Sequence, residues 1–184
     1  MSKIGVSNLH YAKQTAEDTA SSAATYGTVT AISGTVSVEV APTSNTNTLY
    51  ADNGPYETAE SFGQINVTLE LADLSLEEQA DLLGHTYDST NKKIDKKTSD
   101  TAPYVALMFE FLMASGKKRC VKLYKGKFAL VQDSGQTKGE NVEFQTQQIT
   151  ASFVQLKNNK MWETIQDFDA DASTDSFYSS VLSS

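Results

Sequence analysis

The stretch "DFDADASTDSFY" sets Asp167, Asp169 and Asp171 at alternate positions. That spacing supplies the first three oxygen ligands of a calcium loop. The match then fails: Ala172 stands where the loop needs a turn glycine, and Tyr178 where a bidentate glutamate would close the coordination. A solvated acidic arm is the expectation for this segment. Nucleophilic catalysis needs a base, and only His10 and His85 are present, one near the N-terminus and one directly after a predicted helix. No G-x-S-x-G elbow accompanies them, so both read as structural or exposed. One cysteine and two distant histidines offer no ligand spacing for zinc. Cys120 cannot form an intramolecular disulfide and reads as a small buried strand residue. No glycine loop for phosphate occurs. The expectation is a protein that is not an enzyme and that carries no metal or cofactor.

A different kind of site is suggested by "TLYADNGPYE", residues 48–57. Asn53-Gly54-Pro55 is strong turn punctuation. Tyr50 and Asp52 precede it and Tyr56 follows. Without catalytic partners, aromatics beside a turn read either as anchors of a subunit contact or as a local turn packed on its own domain, and the subunit contact is preferred.

These residues must be positioned by a chain of 184 residues, enough for one domain with a sizeable core or a domain with long arms. Hydrophobic residues make up 39%, below the usual globular share, which suits a β-rich protein with extended polar surface. A net charge of −8 argues against binding nucleic acid by phosphate neutralisation, though not against nucleic acid passing by. The N-terminus lacks the apolar run of a signal peptide. The most apolar stretch, "YVALMFEFLM", is too short to span a bilayer and carries Glu110. Synthesis in a cytoplasm, without membrane association, is expected.

Along the chain, residues 1–25 end in the small-polar run "AKQTAEDTASSAATYG" and read as a mobile arm or loop. Alternation begins at Thr35, with Val36, Val38 and Val40 on one face. "PTSNTNT" reads as a loop or hairpin tip, followed by a short strand at Thr48–Ala51. In "QINVTLEL", Ile65, Val67, Leu69 and Leu71 form one face of a strand. Ser75 and Glu78 then make an S-x-x-E capping box, and Leu76, Ala80 and Leu83 form a stripe ended by Gly84, which predicts a helix over about 75–84 packed on the sheet. Asp88 to Asn91 read as the tip of a lysine-rich hairpin. Strands are predicted at Tyr104–Met113, burying Phe109 and Phe111, and at Lys118–Tyr124. A last long strand carries Val142 and Phe144 early and Ile149, Ala151 and Phe153 later, with a bulge between them. Residues 161–184 read as an acidic arm. The predicted core includes Leu69, Leu71, Leu76, Leu83, Phe109 and Phe111.

The ordered set "GVSNLHYA", "TYGTV", "ISGTVSVEV", "LYADN", "TLELADLSLEEQADLLG" and "PYVALMFEFLMASGKKRCVKLYKGKF" resembles the major tail protein family of long, non-contractile-tailed phages of Gram-positive bacteria. The likeness runs from about Gly5 through Val154, and "TDSFYSSV" also fits. The resemblance implies a mainly β fold, a β-sandwich of tail-tube type over residues 26–160 with one flanking helix, long loops and terminal arms. It implies hexameric rings whose inner sheets join into a β-barrel, stacked into a tube through which DNA passes unbound. Partners would be further copies and the tape measure, distal tail and tail terminator proteins. The virion would be its location. His10, Tyr11, Phe177 and Tyr178 join Tyr50, Asp52 and Tyr56 as candidate subunit contacts. Two alternatives are a tube subunit of a related tail-like or secretion machine, and a monomeric carbohydrate-binding β-sandwich using Tyr56 and Trp162.

Overall fold

The computed structural model describes residues 2–51, 53–131 and 145–182. Asp52, Val142 and Phe144 lie outside them. The chain is mainly β. Its strands are β1 (Lys3–Ala16), β2 (Thr25–Tyr26), β3 (Thr30–Ala31), β4 (Thr35–Ala51), β5 (Gly54–Leu71), β6 (Thr86–Asp88), β7 (Lys93–Asp95), β8 (Val105–Met113), β9 (Lys118–Phe128), β10 (Gln147–Val154) and β11 (Glu163–Phe168). Two helices, α1 (Leu76–Leu83) and the short α2 (Asp175–Tyr178), complete the set.

Nine strands form one sheet in the order β2-β1-β8-β9-β10-β5-β4, with β3 on β1 and β11 on β9. Every strand pairing is antiparallel. The sheet branches at β9. One edge of that strand follows β8, while the other is divided between β11, at Lys118 to Leu123, and β10, at Lys125 to Phe128. The sheet is not closed into a barrel.

Period-two alternation gives the central strands two buried faces. Val105, Leu107 and Phe109 of β8 meet Leu9, Tyr11, Val121, Leu123, Phe153 and the Ile65-to-Leu71 face of β5 in the main cluster. Ala106 and Met108 point the other way, into a second cluster with Cys120, Tyr124, Leu156, Phe177 and Val181. Phe111 is half-buried against the main cluster. At Gly126, paired across the ladder with Phe153, an added Cβ would lie 2.6 Å from the aromatic ring. Only glycine lets that ring cover the strand.

The α1 capping box is formed: the Ser75 hydroxyl accepts from the Glu78 N–H, and the Glu78 carboxylate accepts from the Ser75 N–H at 2.9 Å. Gly84 ends the helix in the left-handed conformation, φ 74°. The stripe is shifted from the expected one. Leu82 and Leu83 join the main cluster, whereas Leu76, at the first helical position, is 43% exposed and is not core. Leu83→Ala should therefore cost about 2–5 kcal/mol by urea denaturation, and Leu76→Ala well under half of that. Equal losses would mean the helix packs through its first turn after all.

Three sequence expectations are corrected. The N-terminal segment is not an arm: β1 pairs along β8 and buries Leu9, Tyr11 and Ala12. Its alternation was concealed by an extra residue between Ser7 and His10, where Asn8 takes φ 53°. "PTSNTNT" is not a loop. β4 continues through it to Ala51, and the chain reverses between Ala51 and Gly54, with Asn53, not Gly54, at positive φ (65°). Nor is the C-terminal segment a free arm. β11 pairs with β9, and Phe177 and Val181 are buried in the second cluster.

Candidate functional site

The groups capable of chemistry are engaged in holding the fold. Asp167 receives two hydrogen bonds from Arg119, at 2.7 and 2.8 Å, and Asp169 one from Lys117 at 2.8 Å. Those donors hold both carboxyls below their ordinary range. Two of the three alternating aspartates thus fasten the start of β9 to the end of β11. Among the described residues, no group of three or more His, Cys, Asp or Glu could hold a metal ion.

His85 donates through Nδ1 to Asp100 at 2.8 Å, and Asp100 also accepts from the Lys97 N–H, which lowers its pKa. The pair ties the β6–β7 hairpin to the end of α1. His10 directs Nδ1 at the Asn8 carbonyl, 2.8 Å away, and its ring lies 4.5 Å from that of Tyr178. Neither histidine is hydrogen-bonded to a hydroxyl or thiol among the described residues. Cys120 is buried, and burial followed by the nearby Glu110 charge pushes its thiol up to about 11. A neutral thiol at that site is not a nucleophile.

Among the described residues, the exposed feature that packs least on the rest of the subunit is the outer part of the β4–β5 hairpin. From Ala41 to Gln64 none of the side chains described is buried. The two strands nonetheless keep pairing from Ser44↔Phe62 to Ala51↔Gly54. Two register shifts shape this ribbon. One falls between Pro42↔Ile65 and Ser44↔Phe62, with an extra residue on β5. Gly63 sits there against Thr43, whose Oγ1 would be 2.5 Å from an added Cβ. The other leaves Tyr56 as the extra residue between Leu49↔Glu57 and Tyr50↔Pro55.

Because the first extra residue is on β5, the β4 parity is unbroken. Val38, Val40, Pro42, Ser44, Thr46, Thr48 and Tyr50 share one face, so the face that begins on the core runs out to the tip. Tyr50 ends it, 71% exposed, and Tyr56, the extra residue on the neighbouring strand, is 73% exposed. At the base Phe62 touches Trp162, with ring centroids 5.5 Å apart.

Two open edges lie near that base. Among the described residues β4 pairs only with β5, and β11 only with β9. Between them is a cleft of about 390 Å³ lined by Val38, Val40, Phe111, Val121, Trp162 and Ile165. Lys3 stands 3.7 Å over the Phe111 ring at its rim, and burial raises the Glu163 carboxyl. The cleft also carries Lys3, Glu39, Arg119 and Glu163, and strand edges left unpaired beside it expose backbone donors and acceptors.

The candidate contact residues therefore separate. Tyr50 and Tyr56 are together at the ribbon tip, and Asp52 lies outside the described residues. Tyr11 is not a surface contact, since it is buried and its hydroxyl donates to Asp81 at 3.0 Å. Phe177 is likewise buried, packed 5.5 Å from Tyr178, which is half-buried beside the half-buried His10. For sugar binding, Tyr56 and Trp162 do not share a platform. Trp162 is half-buried at the ribbon base against Phe62, and six residues of strand, about 20 Å, separate Phe62 from Tyr56.

Sequence reasoning missed Leu49 and Phe62, exposed on the ribbon, and the apolar cleft. The signal for the ribbon was the Thr/Asn/Ser run before the turn, residues 43–48, and the polar, glutamate-bearing run after it, residues 57–61, neither of which has an apolar face. No family model matches the chain, and no curated protein matches it.

Proposed function

We propose that this chain is the self-assembling subunit of a phage tail tube. The observation that carries the reading is the ribbon of residues 41–64, two paired strands without a core of their own. An isolated two-stranded hairpin is marginal in water and gains lasting order only against further surface. A subunit that spends an eighth of its length or so on such a ribbon is built to be completed by a neighbour. The open edges of β4 and β11 support the same conclusion, since an unprotected 17-residue edge strand is an aggregation hazard unless a specific partner pairs with it.

In this reading the sandwich is completed in the ring. Neighbouring subunits join the open edges, inner sheets run into one β-barrel, and the hazards of free edges vanish on closure. Six subunits form a ring, as the family resemblance implies, and rings stack through the ribbon, with Tyr50 and Tyr56 as anchors. The acidic balance of the chain favours a bore that repels phosphate and lets DNA slide. Tape measure, distal tail and tail terminator proteins are the partners of such a tube in the virion. Electron microscopy and light scattering over rising concentration, with tail-initiation proteins added, should show rings or tubes without any cofactor. A strictly monomeric species under all of these conditions refutes the reading.

A further inference from the structure

The second buried face of β8 and β9 contains groups that a covered sheet face normally avoids. Glu110 is 6% exposed and Lys122 7%, with the Cys120 thiol also buried. Glu110 is satisfied by neutral donors: Ser7 Oγ at 3.0 Å, Asn8 Nδ2 at 2.8 Å and Thr174 Oγ1 at 3.3 Å. Lys122 pairs with no carboxylate among the described residues. Its ammonium donates to the Ser180 carbonyl at 2.7 Å and lies 4.4 Å over the Phe177 ring. One carbonyl and one ring compensate poorly for taking an ammonium out of water.

The cover over this face is the C-terminal segment, residues 174–182, and it is weakly fastened. Its helix α2 has four residues and no side-chain cap at Thr174. Its buried apolar anchors are Phe177 and Val181, with Tyr178 and Leu182 half-buried beside them. The Tyr178 hydroxyl is buried and makes no hydrogen bond of ordinary geometry, its polar neighbour being the weakly bonding Cys120 thiol. A cleft of about 530 Å³ runs between the segment and residues 24–29. Upstream, the Arg119–Asp167 and Lys117–Asp169 pairs hold the chain, so motion of the cover would begin after Asp169, in the small residues Ala170 to Ser173.

We infer that residues 174–182 are a releasable latch that covers the Glu110, Cys120 and Lys122 face in the isolated subunit and acts as a brake on self-assembly. The coupling to assembly rests on the tube reading; the latch itself does not. Closed, it leaves an ammonium and a phenol poorly partnered; open, both regain water and the second cluster loses its cover, while the main cluster, which holds no residue of the segment, stays packed. Such local opening exposes little surface and proceeds without global unfolding.

Cys120 is the single cysteine of the chain and lies under the latch, so its reaction with an aromatic disulfide reagent reports opening. In wild type the thiol should react faster than the protein unfolds, with a rate nearly independent of low urea. Phe177→Ala with Val181→Ala should speed the reaction by on the order of tenfold or more, with the sheet's far-UV signal unchanged. Lys122→Met should slow it. The buried charge is gone, and the Ser180 carbonyl, on an exposed residue, can turn to water. A lysine that merely anchors the segment would give the reverse, faster reaction in Lys122→Met. Reaction at the global unfolding rate with its full urea dependence, or faster reaction in Lys122→Met, overturns the latch.

The same variants separate the latch from the tube. The alanine pair should begin to scatter light at a lower protein concentration than wild type. If thiol rates behave as stated but the onset does not move, the brake is refuted. If neither protein assembles, the tube reading fails, and the latch is judged on the thiol rates alone.

Discussion

A subunit in which residues 43–64 are replaced by Asn-Gly is expected to fold with nearly full stability and to lose tube formation entirely. The excision keeps the Pro42↔Ile65 pair, and a two-residue Asn-Gly turn matches the twist of an antiparallel pair. None of the described side chains removed is buried, so no cavity is expected. Their one ring contact with the rest of the subunit is Phe62 on Trp162, worth about 0.5–1.5 kcal/mol. Closing a shorter loop returns part of that loss, because each halving of loop length lowers the closure cost by about 0.6 kcal/mol. The net change in a urea denaturation curve should be within about 1 kcal/mol, small beside a total of roughly 5–15 kcal/mol. Assembly has no such reserve: the ribbon carries both tip tyrosines and the exposed Leu49 and Phe62. Tyr50→Ala alone should leave monomer melting unchanged and reduce tube yield. Tubes from the excised variant would place the contact elsewhere, and an unfolded variant would mean that the ribbon is part of the core.

The parts of this fold that were legible in the sequence are those whose order is local. Ile65, Val67, Leu69 and Leu71 alternate without interruption, and Ser75, Glu78 and Gly84 mark both ends of α1 within ten residues. What was concealed depends on partners far away in sequence. β1 was obscured by a single left-handed residue, Asn8, which shifts parity midway and makes Leu9, Tyr11 and Ala12 look irregular. The acidic tail looked like a solvated arm because its cations, Lys117 and Arg119, lie about fifty residues upstream on β9. The turn-flanking tyrosines were legible as contact candidates, since they depend only on a turn. Tyr11 and Phe177 were misassigned because burial by a distant element leaves no local trace. The ribbon was concealed for a different reason: threonine, asparagine and serine favour turns, yet a strand needing no apolar face in its own subunit can be made of them.

The most damaging single substitution in the subunit should be Asp18→Ala. Asp18 and Lys125 are both buried, joined at 2.7 Å across 107 residues of sequence, and Asp18 also accepts from the Lys157 N–H. The Lys125 ammonium lies 4.6 Å over the Tyr104 ring as well. Removing the carboxylate leaves that ammonium without a counter-charge and a backbone donor without an acceptor. Loss of one partner of a buried pair costs about 3–5 kcal/mol, roughly a fifth or more of ordinary stability. Asp18→Asn keeps an acceptor for Lys157 and should recover roughly 0.5–1.5 kcal/mol of this. Asp18→Ala combined with Lys125→Met should recover more, because the unpaired charge is then gone. The pH dependence has a definite sign. Burial pushes the Asp18 carboxyl up, but the hydrogen bonds from Lys125 and Lys157 and the Lys125 charge together hold it below 3.8. Between that lowered value and the ordinary one the unfolded chain binds the extra proton, so stability falls as the pH falls through this window. Above it the contribution is fully present. The gap between wild type and Asp18→Ala should thus be constant near neutral pH and close only in strong acid, below the usual carboxyl range. Denaturation curves at pH 7 and in acid for the three variants decide the matter. A double variant no more stable than Asp18→Ala would show that the carboxylate acts by holding the Lys157 backbone, and that the ion pair contributes nothing.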